Sequence, residues 1–157
     1  MKALTVFYSL SGNTKKIVDM IHSHIGGDIA EIETSAPYEG DYNSVVKQGK
    51  EEVESGFSPK LKPLSVDIEK YDTVIIGTPV WWYTFAPAIK SFLEENDLTG
   101  KTVYPFATNG GWIGHTFKDF KKMCSGAEVK NGLNVRFDGN TLRTGESDIA
   151  DWIEKIK

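Results

Sequence analysis

The sequence has little cysteine, no basic tract and no long apolar segment, and each of these absences excludes a class of protein. Its single cysteine, Cys124, excludes an intramolecular disulfide and leaves too few thiols for a cysteine-based metal site. The net charge of −4, with no run of lysine and arginine, argues against a nucleic-acid or anionic-membrane partner. No stretch approaches the length of a membrane-spanning helix.

The beginning and the length of the chain predict a small cytoplasmic protein. Residues Met1–Tyr8 contain an apolar run that is too short for the core of a signal peptide. A chain of 157 residues has the size of one ordinary domain. Because no repeat or linker divides it, we expect a single domain over residues 1–157.

Apolar, β-branched segments alternate along the chain with segments of helical periodicity. Strands are predicted at Ala3–Tyr8, Ile29–Ile32, Thr73–Gly77 and Thr102–Ala107, and in two short pieces at Ala127–Val129 and Leu133–Phe137. Helices are predicted from about Asn13, around Asn43–Glu54, from Pro87, around Phe117–Cys124 and after an N-cap at Ser147. Pro105 predicts a bulge or a locally open pairing in the fourth strand, because proline cannot donate to a ladder. The alternation favours an α/β fold, doubly wound, with a five-stranded parallel sheet in the order 2-1-3-4-5 and helices on both faces.

Three loops follow the first, third and fourth strands, which are neighbours in this order. The first, Ser9–Thr14, has small hydroxyl and amide side chains and one glycine, and it precedes a helix. Such a loop offers backbone N–H groups and a helix N-terminus to a phosphate. The second, Thr78–Phe85, is rich in aromatic residues, and the third, Thr108–Gly114, is rich in glycine. Together they predict a ligand with a phosphate at one end and a planar heteroaromatic ring at the other.

Each loop taken alone also has an ordinary structural interpretation. Ser9–Thr14 is compatible with a simple strand-to-helix turn, and Gly110-Gly111 with a simple turn. Trp81 and Trp82 are compatible with core packing, as is Cys124. However, Trp81, Trp82 and Tyr83 are consecutive and cannot all face one core. At least one of them is therefore expected at a ligand or at the surface.

In the content and order of these loops the chain resembles the flavodoxin family. Ser9–Thr14 is similar to the family's phosphate loop, in which a hydroxyl residue, any residue and a second hydroxyl residue precede Gly-x-Thr. Gly77–Trp82 and Thr108–Gly111 resemble the two loops that hold the isoalloxazine ring. No insertion interrupts the fifth strand, as in the short-chain type.

The resemblance implies FMN as the cofactor and assigns the binding residues. It implies that the phosphate is held by Ser9, Leu10, Ser11, Gly12, Asn13 and Thr14. It places Trp81, Trp82 or Tyr83 against the ring, and backbone groups of Asn109, Gly110 and Gly111 at its polar edge. The other cofactor-binding residues that it implies are Thr78, Pro79, Val80, Thr108 and Gly114. No metal is expected, and no side chain is expected to act as acid, base or nucleophile. Because no lysine or arginine is expected near the ring, we anticipate a low reduction potential for the bound flavin.

Two functions within flavin chemistry remain open at this point. One is a monomeric electron-transfer protein that shuttles between a reductase and acceptor enzymes and docks them on an apolar patch that includes Phe85 and Trp112. The other is an FMN-dependent NAD(P)H oxidoreductase that acts on a quinone or a similar acceptor. The short loops, with no evident nicotinamide site, favour the carrier. A receiver domain is disfavoured because Thr78-Pro79 stands where it needs an aspartate. A P-loop nucleotide-binding protein is disfavoured because the GxxxxGK[ST] phosphate loop is absent.

Overall fold

Strands and helices alternate through residues 1–157, all of which the computed structural model describes. The strands are β1 (Ala3–Phe7), β2 (Asp28–Glu31), β3 (Thr73–Trp81), β4 (Thr84–Phe85), β5 (Thr102–Asn109), β6 (Glu128–Val129), β7 (Leu133–Asp138) and β8 (Thr141–Leu142). The helices are α1 (Asn13–Ile25), α2 (Tyr42–Ser55), α3 (Pro87–Glu95), α4 (Thr116–Met123) and α5 (Glu146–Glu154), with a 3-10 turn at Ile68–Lys70. Each helix is too short or too polar to span a bilayer.

The central sheet is parallel and follows the order β2-β1-β3-β5-β7. This order confirms the predicted α/β fold, with the fifth strand divided into β6 and β7, both of which pair with β5. The structure has eight strands rather than five because β6 is separate and because β4 and β8 add antiparallel pairs beyond the ends of β3 and β7.

Pro105 lies in the middle of β5, where one edge of the strand changes partner. On the β3 side the pairing is continuous, and Pro105 stands opposite Ile76. On the other side the pairing of β5 with β6 extends to Val103, and its pairing with β7 begins at Phe106. The interval confirms the predicted opening, because a residue without an N–H sits where the ladder is interrupted.

Two apolar layers bury the sheet on both faces, because β-strand side chains alternate between faces. Val74 and Ile76 of β3 point towards α3 and α4, where Phe92 and Phe120 are fully buried. Ile75 points the other way, into a cluster formed by α1 and α5. Cys124 packs in the first layer, and burial raises the pKa of its thiol to about 11, which fits a core residue and not a reactive one.

The last helix begins earlier than its sequence predicts. The N-cap of α5 is Gly145, whose carbonyl accepts the N–H groups of Asp148 and Ile149. No side chain caps the helix, so Ser147 lies in its first turn and its prediction as the N-cap is wrong.

Candidate functional site

The three loops meet at the carboxyl ends of β1, β3 and β5 around a cavity of about 570 Å³, here called the main cleft. Every loop contributes to its wall. The predicted residues that line it are Leu10, Ser11, Asn13, Pro79, Val80, Trp81, Trp82, Thr108, Asn109 and Gly110. The predicted juxtaposition of segments that are distant in sequence is therefore present.

The first loop presents a row of unused backbone donors. The N–H groups of residues 10–14 donate to no protein acceptor, and they lie where α1 begins. Gly12 precedes the helix with a φ of 95°, a left-handed conformation that side-chain-bearing residues rarely adopt. Consecutive N–H groups at a helix N-terminus form an anion-binding site.

Two side chains of this loop connect it to the rest of the cleft. Asn13 donates from Nδ2 to the carbonyl of Gly139 at 2.9 Å, while its Oδ1 is buried without any partner. The hydroxyl of Thr14 is buried and lies 2.8 Å from that of Thr108 in the third loop. The orphaned Oδ1 of Asn13 is an acceptor beside the cleft, which a ligand hydroxyl would satisfy.

The second loop contains a strained turn. Val80 pairs with Phe85 and Trp81 with Thr84, so Trp82 and Tyr83 are the only residues between β3 and β4. Their φ values are 51° and 74°, the left-handed conformations of a type I′ turn. That turn normally takes Asn-Gly, and each bulky residue held there costs about 1–3 kcal/mol. Strain of this kind persists where the surrounding structure enforces it, and it is frequent at functional sites.

The strained turn is held from both sides. The indole of Trp82 donates from Nε1 to the carbonyl of Val46 in α2 at 3.1 Å. The carbonyl of Tyr83 accepts the N–H of His115 at 2.8 Å. Gly114 packs directly beneath Tyr83, because a Cβ at Gly114 would lie 2.3 Å from that carbonyl oxygen. Gly114 thus supports the turn and does not line the main cleft.

A second, shallower cavity of about 430 Å³ continues the main cleft outwards and is here called the outer groove. It shares Val80, Trp82, Asn109 and Gly110 with the main cleft and adds Tyr83, Gly111 and Trp112. Tyr83 is 51% and Trp112 67% exposed, and their ring centroids are 5.9 Å apart. The two cavities form one trough with free N–H groups at one end and aromatic rings at the other.

Two predicted residues have structural positions below the trough. Thr78 is fully buried, and its hydroxyl donates to the carbonyl of Pro79 and accepts the N–H of Ala86. It therefore shapes the second loop from beneath. Phe85 is also buried and packs against Phe120 with a centroid distance of 5.0 Å, so its assignment to an exposed docking patch is wrong.

Trp81 points away from the outer groove and forms an aromatic group with Tyr8 and Tyr38. Its ring centroid lies 5.8 Å from that of Tyr8 and 5.0 Å from that of Tyr38. The helix α2 approaches Trp81 at Gly49, where a Cβ would come within 3.1 Å of its Cε3. Trp81 thus packs inwards, while Trp82 and Tyr83 remain exposed. This agrees with the expectation that the three consecutive aromatic residues cannot all face one core.

Sequence reasoning missed one wall of the cleft. Tyr42, Val45, Val46 and Gly49 of α2 line it, as do Phe137, Gly139 and Asn140 near the β7–β8 turn. A glycine in the middle of a helix was the available signal, because glycine is unfavourable there without a packing reason.

Cations also lie nearer the aromatic end than expected. The Lys50 amine is 5.3 Å from the ring centroid of Trp82. A Cβ on Gly111 would lie 3.9 Å from Nε of Arg136. The expectation that no lysine or arginine lies near the ring end is therefore wrong.

A family model described as Flavodoxin matches residues 2–156. The chain belongs to the flavodoxin family. The parallel α/β sheet of this chain agrees with that membership.

Among curated relatives, Flavodoxin 1 of Escherichia coli is 30% identical over 104 residues, which cover 64% of this chain and 45% of that protein. The chain therefore spans less than half the length of this relative. The FMN reductase (NADPH) of Escherichia coli is 38% identical over 61 residues, covering 37% of this chain and 31% of that protein.

Two solved structures extend the likeness over the whole chain. A candidate flavoprotein from Bacteroides eggerthii is 32% identical with a TM-score of 0.83, covering 99% of this chain and 97% of that one. A flavoprotein from Lactobacillus acidophilus in complex with FMN is 24% identical with a TM-score of 0.78, covering 96% and 97%. At 24% identity, the likeness to the Lactobacillus acidophilus structure shows a common fold alone.

Proposed function

We propose that this chain binds FMN in the trough and carries electrons between a reductase and acceptor enzymes. One observation carries the proposal: the free N–H groups of residues 10–14 and the aromatic rings of the outer groove lie at opposite ends of one trough. Those two ends match the phosphate and the ring of FMN. Membership of the flavodoxin family and the FMN complex of the Lactobacillus relative support the cofactor.

At the phosphate end, the first loop would hold FMN by donors rather than by a cation. The backbone N–H groups of residues 10–14 and the hydroxyls of Ser9 and Ser11 would donate to the phosphate. Each hydrogen bond to a charged acceptor contributes about 1.5–3 kcal/mol, so a few are enough to anchor it. Asn13 Oδ1, which lacks a partner, would accept from a hydroxyl of the ribityl chain.

At the ring end, the aromatic side chains would cover the isoalloxazine. Trp82, Tyr83 and Trp112 line the outer groove, and stacking adds about 0.5–1.5 kcal/mol beyond burial. Backbone groups of Asn109–Gly111 would meet the polar edge of the ring. FMN supplies the redox chemistry, while this chain binds it, orients it and tunes it. The exposure of Tyr83 and Trp112 leaves the ring end open to a redox partner.

An NAD(P)H-dependent FMN oxidoreductase is the second candidate. It is favoured by the similarity to the FMN reductase (NADPH) and by the extra wall that α2 adds to the main cleft. Steady-state turnover of NADPH with a soluble quinone separates the two functions. An electron carrier is expected to give negligible turnover. A rate above about 1 s⁻¹, which is within the range of ordinary enzymes, would show instead that the protein is an oxidoreductase.

The decisive experiment is a titration of the apoprotein with FMN, followed by reduction with dithionite. We expect one FMN per chain, quenched flavin fluorescence and two resolved one-electron steps. Sedimentation and cell fractionation test the further proposals that the protein is a monomer and is cytoplasmic. An apoprotein that leaves flavin fluorescence unchanged would contradict FMN binding, and a single two-electron step would contradict the carrier.

A further inference from the structure

Glu52 is a carboxylate buried behind the wall of the main cleft. It is 9% exposed and lies on the inner side of α2. The Tyr38 hydroxyl donates to its Oε1 at 2.5 Å, and Gln48 donates from Nε2 to its Oε2 at 2.9 Å. Both oxygens thus accept hydrogen bonds, which is the pattern of an ionised carboxylate.

No cation neutralises this carboxylate. Tyr38 and Gln48 are uncharged, and Glu52 takes part in none of the salt bridges of the molecule. A charge that is shielded from water and lacks a counterion acts over a longer distance than one at the surface. Glu52 therefore differs from the other carboxylates of α2, Glu51 and Glu54, which are exposed.

The carboxylate is connected to the cleft by two routes. Tyr38, its hydrogen-bond donor, packs against Trp81, whose indole lines the cleft. Gly49, three residues earlier on α2, also lines the cleft, so the helix position of Glu52 is less than one turn of about 5.4 Å from the wall. Burial and the charge of Glu52 together raise the pKa of Tyr8 to about 12, so the charge is felt within the aromatic group.

We infer that Glu52 is a positioning residue that holds Trp81 through Tyr38 and lowers the redox potential of the flavin. This inference rests on the proposed function, because it concerns FMN bound in the trough. An electron taken up by FMN adds negative charge to the cleft, and a buried carboxylate nearby opposes that addition. Oxidised FMN is then bound more tightly relative to reduced FMN, which makes the bound flavin a stronger reductant.

Lys50 provides a contrast of opposite sign on the same helix. Its amine lies 5.3 Å from the centroid of Trp82, but its side chain is 51% exposed. Solvent and salt screen a charge in that position. Glu52 is therefore expected to influence the flavin more than Lys50 does, although both lie close to the cleft.

The test is the midpoint potential of the FMN-loaded full-length protein, measured by dithionite titration with reference dyes. Glu52→Gln removes the buried charge, and the adjacent Glu51→Gln removes the same charge from an exposed position. We expect Glu52→Gln to raise the ratio of the binding constants for reduced and oxidised FMN about tenfold, which raises the midpoint potential of this two-electron couple by about 30 mV. Glu51→Gln is expected to change this ratio less than twofold, and Lys50→Gln is expected to lower the ratio slightly.

A second variant tests the same charge while retaining Glu52. Gln48→Lys places an ammonium where the amide now contacts the carboxylate, so the potential is expected to rise as it does in Glu52→Gln, by a smaller amount. Equal potentials for Glu52→Gln and Glu51→Gln, or an unchanged potential in Gln48→Lys, would overturn the role of Glu52. If the wild-type chain bound no FMN at all, the proposed function itself would fail. The two failures are distinguishable, because the potentials of the variants can be compared only when FMN is bound.

Discussion

The two ends of the trough are built in different ways. The first loop is made of backbone: its donors are N–H groups, and its one unusual conformation falls on Gly12, which tolerates it. The turn at Trp82 and Tyr83 is made of side chains, and two bulky residues adopt conformations that suit glycine and asparagine. The phosphate end is thus relaxed and the ring end strained, so mutation at either end is expected to weaken FMN binding, while stability should fall at the first end and rise at the second.

The largest loss of FMN affinity is expected from Gly12→Ala. The φ of 95° disfavours any side chain, although open space surrounds the position. We expect the loop to relax and turn one or two N–H groups away, which weakens FMN binding about 100-fold, since each such bond contributes roughly 1.5–3 kcal/mol. Fluorescence titration of the apoprotein measures this loss.

Gly100→Ala is the matched control for this variant. Gly100 has a φ of 82°, also with nothing within 4 Å, but it precedes β5 at the opposite edge of the sheet. Both alanine variants are expected to lose about 1–3 kcal/mol of unfolding free energy. Only Gly12→Ala should lose FMN. A similar loss of affinity in Gly100→Ala would show that general destabilisation, and not the geometry of the first loop, controls binding.

The next effect is expected from the double variant Trp82→Asn/Tyr83→Gly, which installs the residues that a type I′ turn prefers. Relief of strain at both residues is expected to raise the unfolding free energy of the apoprotein by about 2–6 kcal/mol, less about 1 kcal/mol for the lost bond from Trp82 to Val46. Loss of stacking is expected to weaken FMN binding about tenfold. Urea denaturation and FMN titration measure the two changes, and unchanged or lower stability would contradict a strained turn.

This comparison also separates what was predictable from the sequence. Periodicity and β-branched runs identified the strands, and the topology then placed the three loops side by side. The turn was not predictable, because Trp-Tyr carries none of the residues that indicate a type I′ conformation. The α2 wall was not predictable either, since the contact between Gly49 and Trp81 joins segments that no local pattern relates. The buried network at Glu52 depends on the same packing.

The smallest effects compare a buried hydroxyl with an exposed cation in the first helical turn. Thr14 is 2% exposed and pairs with Thr108 at 2.8 Å, so one of the two hydroxyls donates to the other and the acceptor keeps its own hydrogen for a third group. The Lys16 amine instead donates to the carbonyl of Asn140 at 3.2 Å and lies 5.9 Å from the ring centroid of Phe137. It is therefore already engaged by the β7–β8 turn.

We accordingly expect Thr14→Ala to weaken FMN binding several-fold and Lys16→Ala less than twofold. A lost hydrogen bond contributes about 0.5–1.5 kcal/mol, whereas the charge of an exposed lysine is screened at physiological salt. Thr14→Ser retains the hydroxyl and should bind FMN as the wild type does. Comparable losses in Thr14→Ala and Lys16→Ala would show that charge contributes to the phosphate end after all. A difference in affinity between the wild type and Lys16→Ala that shrinks with rising ionic strength would show the same, because salt screens the attraction between an ammonium and a phosphate. The contrast between a backbone-built and a side-chain-built end would then no longer hold.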